Sequence, residues 1–251
     1  MSRKLVAALA CRNNGSRLYG KPMQNLDVEK GIRIIDHIID HLESISCIDE
    51  IVLGISKGVD NEVFVSVAEE KGLRYVVGDE KDVLERLIDC GKLAGATDIF
   101  RITSESPFLY FEPVEEVWKN HVDKNLDASF FDEIIDGCGF EIITRQALEN
   151  SHDNGDSRHR SEMCTLFIRE NLNNFKVEFY NPDESLIRKD LRLTVDNPED
   201  LVVCRKLYEE FSSDVPQISV SKMVKYLDEN PALKKLIAPF TEAGYKQMYL
   251  K

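Results

Sequence analysis

Apolar residues follow two periods along this chain, and the two alternate. Leu5-Val6-Ala7-Ala8-Leu9 is an unbroken apolar run that predicts a buried strand. Ile34, Ile35, Ile38, Ile39 and Leu42 then recur at helical spacing, predicting a helix over 32–42. The alternation continues with a strand over 51–55, a helix over 60–71 capped by Asp60, a strand over 74–77, a helix over 82–94 and a strand over 98–103. Strands alternating with helices predict a parallel sheet with right-handed crossovers. The expected fold is α/β, a Rossmann-like three-layer α/β/α sandwich with a mostly parallel sheet.

The second half is less regular. It predicts strands over 126–131 and 140–143, a short helix over 144–150 and a mobile polar loop over 151–160. A helix over 161–171 and strands over 175–180 and 191–195 follow. Pro198 followed by Glu199 and Asp200 marks a helix start, and that helix runs to about Phe211. Beyond Val215-Pro216 the pattern is helical and is expected to form an appendage. The expected organisation is a main domain over 1–211, with an insertion at about 125–190, and a C-terminal helical extension over 212–251.

The loop after the first strand, Ala10-Cys11-Arg12-Asn13-Asn14-Gly15-Ser16-Arg17-Leu18-Tyr19-Gly20-Lys21-Pro22, changes the picture. It gathers Arg12, Arg17 and Lys21 in a chain whose formal net charge is -13. Glycines let backbone N–H groups close around an anion, and cations on the same loop neutralise it. In α/β sheets, loops at strand C-termini are where ligands sit, so a phosphate or triphosphate site is expected here. Gly15 to Lys21 matches the start of a P-loop, G-x-x-x-x-G-K, but Pro22 stands where that motif needs a hydroxyl for magnesium. The dinucleotide fingerprint G-x-G-x-x-G is absent, so a nicotinamide cofactor is not favoured.

At 251 residues, 43% hydrophobic and 31% charged, the chain has room for a real core. Its acidity argues against nucleic acid or an anionic membrane as partner. No apolar run is long enough for a membrane span and the first residues carry no signal-peptide pattern, so a cytoplasmic location is expected. The six cysteines lie far apart with no C-x-x-C pair and are expected as small buried residues. Cys11 is singled out because the neighbouring cations would lower its pKa.

Two acidic strand ends carry candidate chemistry. One is Arg101-Ile102-Thr103-Ser104-Glu105-Ser106-Pro107, where Glu105 is either a metal ligand or a solvated turn residue. The other is Leu191-Arg192-Leu193-Thr194-Val195-Asp196-Asn197-Pro198-Glu199-Asp200-Leu201, where Asp196 is either a ligand or a helix cap.

On these residues the chain resembles the CMP-sugar synthetases: the 3-deoxy-manno-octulosonate cytidylyltransferases, the CMP-acylneuraminate synthetases and the spore coat polysaccharide biosynthesis protein F group. The loop is similar to the family signature A-R-x-x-S-x-R-L-x-G-K-x-L, with Cys11 for alanine. Residues 101–109 resemble R-I-T-G-D-C-P-L-I, with Ser104 for glycine and Glu105 for aspartate. Residues 192–201 resemble R-x-T-V-D-x-P-E-D-L, and residues 79–86 resemble the spore-coat group's S-E-x-D-V-L-x-R. Weaker matches over 136–148 and 160–168 depart from that group at Gly139, Met163 and Leu166, where the acceptor should bind.

The resemblance covers about residues 4–211 and implies a nucleotide-diphospho-sugar transferase-like fold. It implies transfer of CMP from CTP to a sugar acid or related acceptor for surface polysaccharide or glycoconjugate synthesis, with pyrophosphate released and magnesium as cofactor. Arg12, Lys21 and Asp196 would be catalytic, and Glu105 and Asp196 would hold the metal. Ala8, Leu9, Ala10, Arg12, Asn13, Gly15, Ser16, Arg17, Lys21, Arg101 and Ser104 would bind the nucleotide. Glu141, Arg158, His159 and Arg160 would meet the acceptor. A homodimer is implied, with contacts near 125–190. The alternatives are a nucleotidyltransferase for a phosphorylated alcohol, a nucleotide-sugar-dependent glycosyltransferase, or a nucleotide-binding family member without activity.

Overall fold

The computed structural model describes residues 3–15 and 17–248. The strands are β1 Leu5–Cys11, β2 Asn25–Asp27, β3 Ile32–Arg33, β4 Glu50–Ser56, β5 Arg74–Gly78, β6 Asp98–Arg101, β7 Ala128–Phe131, β8 Phe140–Thr144 and β9 Val177–Phe179. The helices are α1 Ile34–Glu43, α2 Glu62–Lys71, α3 Val83–Ala94, α4 Val114–Asp123, α5 Arg145–Asn154, α6 Leu166–Glu170, α7 Pro198–Glu210, α8 Val220–Glu229 and α9 Pro231–Met248. Among the described residues, seven strands form one sheet in the order β5-β4-β1-β6-β8-β7-β9. Strands β5, β4, β1 and β6 are parallel, and β8 alone runs against its neighbours β6 and β7.

Strand β1 shows why the sheet is covered on both faces. Leu5, Ala7, Leu9 and Cys11 point into one core with α1, α2, α7 and α8, whereas Val6 and Ala8 point into a second core with α3 and α5. Side chains alternate faces along a strand, so a strand buried on both faces is a continuous apolar run. The chain goes outward from β1 to β4 and β5, then returns to β6 on the other side of β1. The crevice between β1 and β6 is therefore the topological switch point, where ligands bind in such sheets.

The alternating first half is as expected, with shifts at element ends. Residues 32–33 pair with β2 as a short antiparallel strand, and α1 begins only where Arg33 and Asp36 form a capping box. Asp60 is not the cap of α2; it lies in a 3-10 turn, Val59–Asn61, and Asn61 is the cap residue. Asp82 caps α3 by accepting from the Glu85 N–H.

Larger differences lie in the second half. The loop expected over 151–160 is ordered: α5 extends to Asn154, and Ser157–Arg160 is a 3-10 turn with His159 buried. The helix expected over 161–171 shrinks to the five residues of α6. The strand expected over 191–195 joins no ladder, because it threads between two loops and makes one isolated bridge, Asp136 to Arg192. The expected appendage is part of the domain. Val220, Met223, Val224, Leu227 and Ile237 are buried in the same core as α1 and α7. The Cys11 reading is corrected: its thiol is fully buried, and burial pushes its pKa well up. Among the described residues no helix is long and apolar enough to cross a membrane.

Helix α1 buries two histidines beside aromatic rings: His37 against Phe108 and Tyr208, and His41 against Phe111. Burial lowers His37 to about 4, with the Pro107 backbone opposing, and lowers His41 to about 3, with His37 adding to the shift. An unfolded chain binds protons on both histidines below about pH 6.5. The folded chain binds them only near the depressed values. Stability should therefore fall as pH drops from about 6.5 to about 4, by up to about 1.4 kcal/mol per pH unit for each histidine. Melting temperatures across that range check this. The drop should be shallower in the His37→Leu, His41→Leu double variant, and an unchanged slope would refute it.

Candidate active site

A pocket of ≈ 380 Å³ opens at the C-terminal ends of β1 and β6. The loop after β1 forms one wall. Gly20 holds a left-handed backbone at φ 61°, and its N–H bonds back to the Asn13 carbonyl at 3.0 Å. The chain then enters a 3-10 turn, Lys21–Met23, with Pro22 buried in it. This folds Arg12, Arg17 and Lys21 toward one cavity.

Three segments bring the acidic residues to the same place. The Val195 N–H bonds to the Glu105 carbonyl at 3.1 Å, and the Leu193 N–H bonds to the Asp136 carbonyl at 2.7 Å. The segment 191–196 is thus tied to a different loop on each side. Gly137 permits the close approach, since a Cβ there would stand 2.5 Å from the Thr194 nitrogen. Asp196 is then fixed from behind. Asp200 caps α7 by accepting the N–H groups of Asp196 and Asn197 at 3.0 and 2.8 Å. Of the two readings of Asp196, the cap is supplied instead by Asn197 and Asp200, which leaves the Asp196 carboxylate facing the cavity.

Both oxygens of Asp196 are held by cations. Lys21 Nζ lies 2.5 Å and Arg17 3.3 Å from Oδ1, and Arg192 lies 2.7 Å from Oδ2. Burial alone would raise its carboxyl, but Lys21, Arg17 and Arg192 hold it below the ordinary value. Arg192 is 1% exposed and also lies 3.5 Å from Asp200 and 3.7 Å from Asp136. Asp136 is pushed up to about 6 by burial, with Arg192 opposing and Asp196, Asp200 and Glu105 adding repulsion. Arg192 and Asp136 were not assigned roles from the sequence. The available signal was a lone arginine between two leucines, four residues before Asp196.

The far side of the pocket carries a second ion-pair network. Glu141 in β8 is buried; Arg101 lies 2.5 Å and Arg169 2.7 Å from it, and Thr165 donates to it at 2.8 Å. Burial would raise the Glu141 carboxyl, but Arg101 and Arg169 hold it down to about 2. Arg169 also pairs with Asp132 at 2.6 Å and stacks over Phe130 at 3.8 Å. Arg12 pairs with Glu162. Asp132 and Glu162 line the pocket and were missed in the sequence.

Of the expected residues, Arg12, Asn13, Gly15, Arg17, Lys21, Arg101, Glu105, Glu141 and Asp196 share this pocket. Ala8 and Leu9 do not reach it, because both are fully buried within β1. Ala10 and Ser104 line a neighbouring slot, where the Ser104 hydroxyl donates to the Ala10 carbonyl at 2.9 Å. Arg158, His159 and Arg160 are corrected: none lines the pocket. Arg158 and His159 turn to Asp156 and Glu170, and Arg160 turns to the His152 carbonyl and Asp82. Ser16 lies outside the described residues.

Glu105 and Asp196 offer hard carboxylate oxygens, the donor type that suits magnesium shared with phosphates. Among the described residues no group of three or more His, Cys, Asp or Glu could hold a metal alone. Two carboxylates plus substrate oxygens are the ordinary magnesium arrangement, and the crowding of Asp136, Asp196, Asp200 and Glu105 is relieved by added positive charge. The residues therefore fit the ion.

A family model described as Cytidylyltransferase matches residues 7–233. An uncharacterized protein of Methanocaldococcus jannaschii is 27% identical over 98% of this chain and 99% of its own length. The spore coat polysaccharide biosynthesis protein SpsF of Bacillus subtilis is 23% identical over 90% of this chain and 95% of its own length. A cytidylyltransferase structure from Leptospira borgpetersenii superposes with a TM-score of 0.83 at 18% identity, covering 92% of this chain and 97% of that one.

Proposed function

The chain belongs to the cytidylyltransferase family and is a nucleotidyltransferase that uses CTP, and from that premise we propose that it transfers CMP to a hydroxyl of a sugar acid or related polyhydroxylated acceptor. One observation carries the reading: Lys21 and Arg17 converge on Asp196 Oδ1 at the switch-point crevice, beside Arg12 and Glu105. A triphosphate entering there meets three cations from one loop.

The acceptor hydroxyl attacks the α-phosphorus and gives up its proton to water, and pyrophosphate leaves with the bonding electron pair. Such transfers depend mainly on positioning and charge neutralisation. Arg12, Arg17 and Lys21 hold the triphosphate and neutralise the leaving pyrophosphate. With Lys21 and Arg17 turned to the phosphates, Glu105 and Asp196 would be the residues that hold a magnesium ion. Magnesium bound there would screen the triphosphate and polarise the α-phosphorus. Asp132 and Glu141 offer carboxylate oxygens to acceptor hydroxyls, and Arg101 is the cation on that side. The likeness to a spore coat polysaccharide biosynthesis protein supports a place in surface polysaccharide or glycoconjugate synthesis.

Pyrophosphate release from CTP and magnesium, with sugar acids, neutral sugars and phosphorylated alcohols offered in parallel, tests the proposal. Release with a sugar acid is the expected result. Release only with a phosphorylated alcohol would refute the acceptor class and leave the CTP chemistry standing. CTP at about 100 times its dissociation constant should also raise the melting temperature by roughly 5–10 °C.

A further inference from the structure

The three cations of the loop after β1 are all paired, and the two acids that pair them are mounted differently. Asp196, which takes Lys21 and Arg17, has a side chain only 20% exposed. It is held by Arg192 on its other oxygen and by its own N–H on Asp200. Glu162, which takes Arg12, comes from the other side of the pocket, 150 residues along the chain. Its side chain is 64% exposed. Among the described residues, Arg12 and Glu162 make no ion pair except with each other.

The backbone beneath Glu162 is fixed while its side chain stands in solvent. Arg101 donates to the Glu162 carbonyl at 2.5 Å, and Arg101 is itself paired with the buried Glu141. Before it, the Ser161 hydroxyl donates to the Arg158 carbonyl at 2.9 Å. After it, Cys164 is buried and the Thr165 hydroxyl donates to Glu141 at 2.8 Å. Glu162 is therefore an acid on a short arm, carried by a rigid base and reaching Arg12 across the pocket. An exposed pair of two long side chains is weak, because water solvates both charges and fixing them costs side-chain entropy. A polyphosphate makes stronger, bidentate bonds to a guanidinium. It wins Arg12 from Glu162, and binds more weakly by whatever that contact was worth.

We infer that Glu162 is a built-in competitor for the polyphosphate: it holds Arg12 between turnovers, yields it to the incoming triphosphate and takes it back as pyrophosphate leaves. This rests on the reading above that puts the triphosphate on Arg12. The site must capture a triphosphate and then release a product that carries two of the same phosphates. A tethered acid serves both needs, since it acts at high effective concentration without occupying the cation permanently. Asp196 does not serve in this way, because Arg192 and the start of α7 hold it in place.

Calorimetric binding of inorganic pyrophosphate at fixed magnesium, to the unaltered protein and to Glu162→Gln, tests the inference. Glu162→Gln should bind it roughly two- to fivefold more tightly, the range an exposed ion pair is worth. Pyrophosphate should inhibit turnover of CTP at a correspondingly lower concentration. Glu162→Asp keeps the charge but is one methylene shorter and falls short of Arg12, so it should tighten binding nearly as much. In an Arg12→Gln background the gain from Glu162→Gln should vanish. Tightening in Glu162→Gln without tightening in Glu162→Asp would mean that a general negative charge was removed, and it overturns the inference. Unchanged or weaker binding in Glu162→Gln overturns it as well, and so does a gain that persists without Arg12. No pyrophosphate binding by the unaltered protein would remove the underlying reading too, whereas binding that does not tighten removes this inference alone.

Discussion

Replacing Lys21 with methionine should lower CTP-dependent pyrophosphate release by roughly 10³-fold, with the melting temperature held within a few degrees. Lys21 is half-buried, and its ammonium lies 2.5 Å from Asp196, yet Asp196 keeps Arg17 and Arg192 when Lys21 is gone. The fold therefore loses one shared ion pair, while the reaction loses a cation placed where charge accumulates on the leaving group. The measurement is kcat and KM for CTP alongside thermal melting. A fall confined to KM would mean that Lys21 only captures the nucleotide. An unaltered kcat/KM would remove Lys21 from the site.

The Arg192→Met variant should show the opposite balance. Its guanidinium is buried and lies against Asp136, Asp196 and Asp200 at 3.7, 2.7 and 3.5 Å. Removing one partner of a buried ion pair costs about 3–5 kcal/mol, because the remaining charge is left uncompensated. In a chain of this size that is on the order of 10 °C in melting temperature. Activity should fall as well, since Asp196 would lose the contact that orients Oδ2. Arg192→Lys should recover only part of the stability, because one ammonium cannot span three carboxylates. Melting of both variants at neutral pH decides the matter, and a loss below about 1 kcal/mol would show that the three acids are neutralised some other way.

The parts legible in the sequence were those governed by local pattern. The run at Leu5–Leu9 follows from burial on both faces of the sheet, and the helical spacing of Ile34, Ile35, Ile38, Ile39 and Leu42 follows from the packing of α1 into the core. The cationic wall of the pocket was legible because cations and glycines cluster in few residues of an acidic chain, and the place of Asp196 at the pocket because Pro198 fixes a helix start just beyond it. The segment 191–195 was misread because its apolar residues are buried by passing between loops, and burial without a ladder has the same sequence pattern as a strand. Arg158, His159 and Arg160 were misassigned because charge density in a polar stretch does not say which acids lie near. Glu170 is ten or more residues away from them in the chain, and it takes up His159 at 2.9 Å.

Arg192 also donates to the carbonyl of Phe240 at 3.2 Å, inside α9. Proteins are made from the N-terminus onward, and domains settle as their parts emerge. The cationic loop, β1 and β6 are synthesised early, but the residue that lies against Asp136, Asp196 and Asp200 is not fully held until residue 240 has left the ribosome. A nascent or prematurely ended chain can therefore build the sheet while its crevice still lacks this last support.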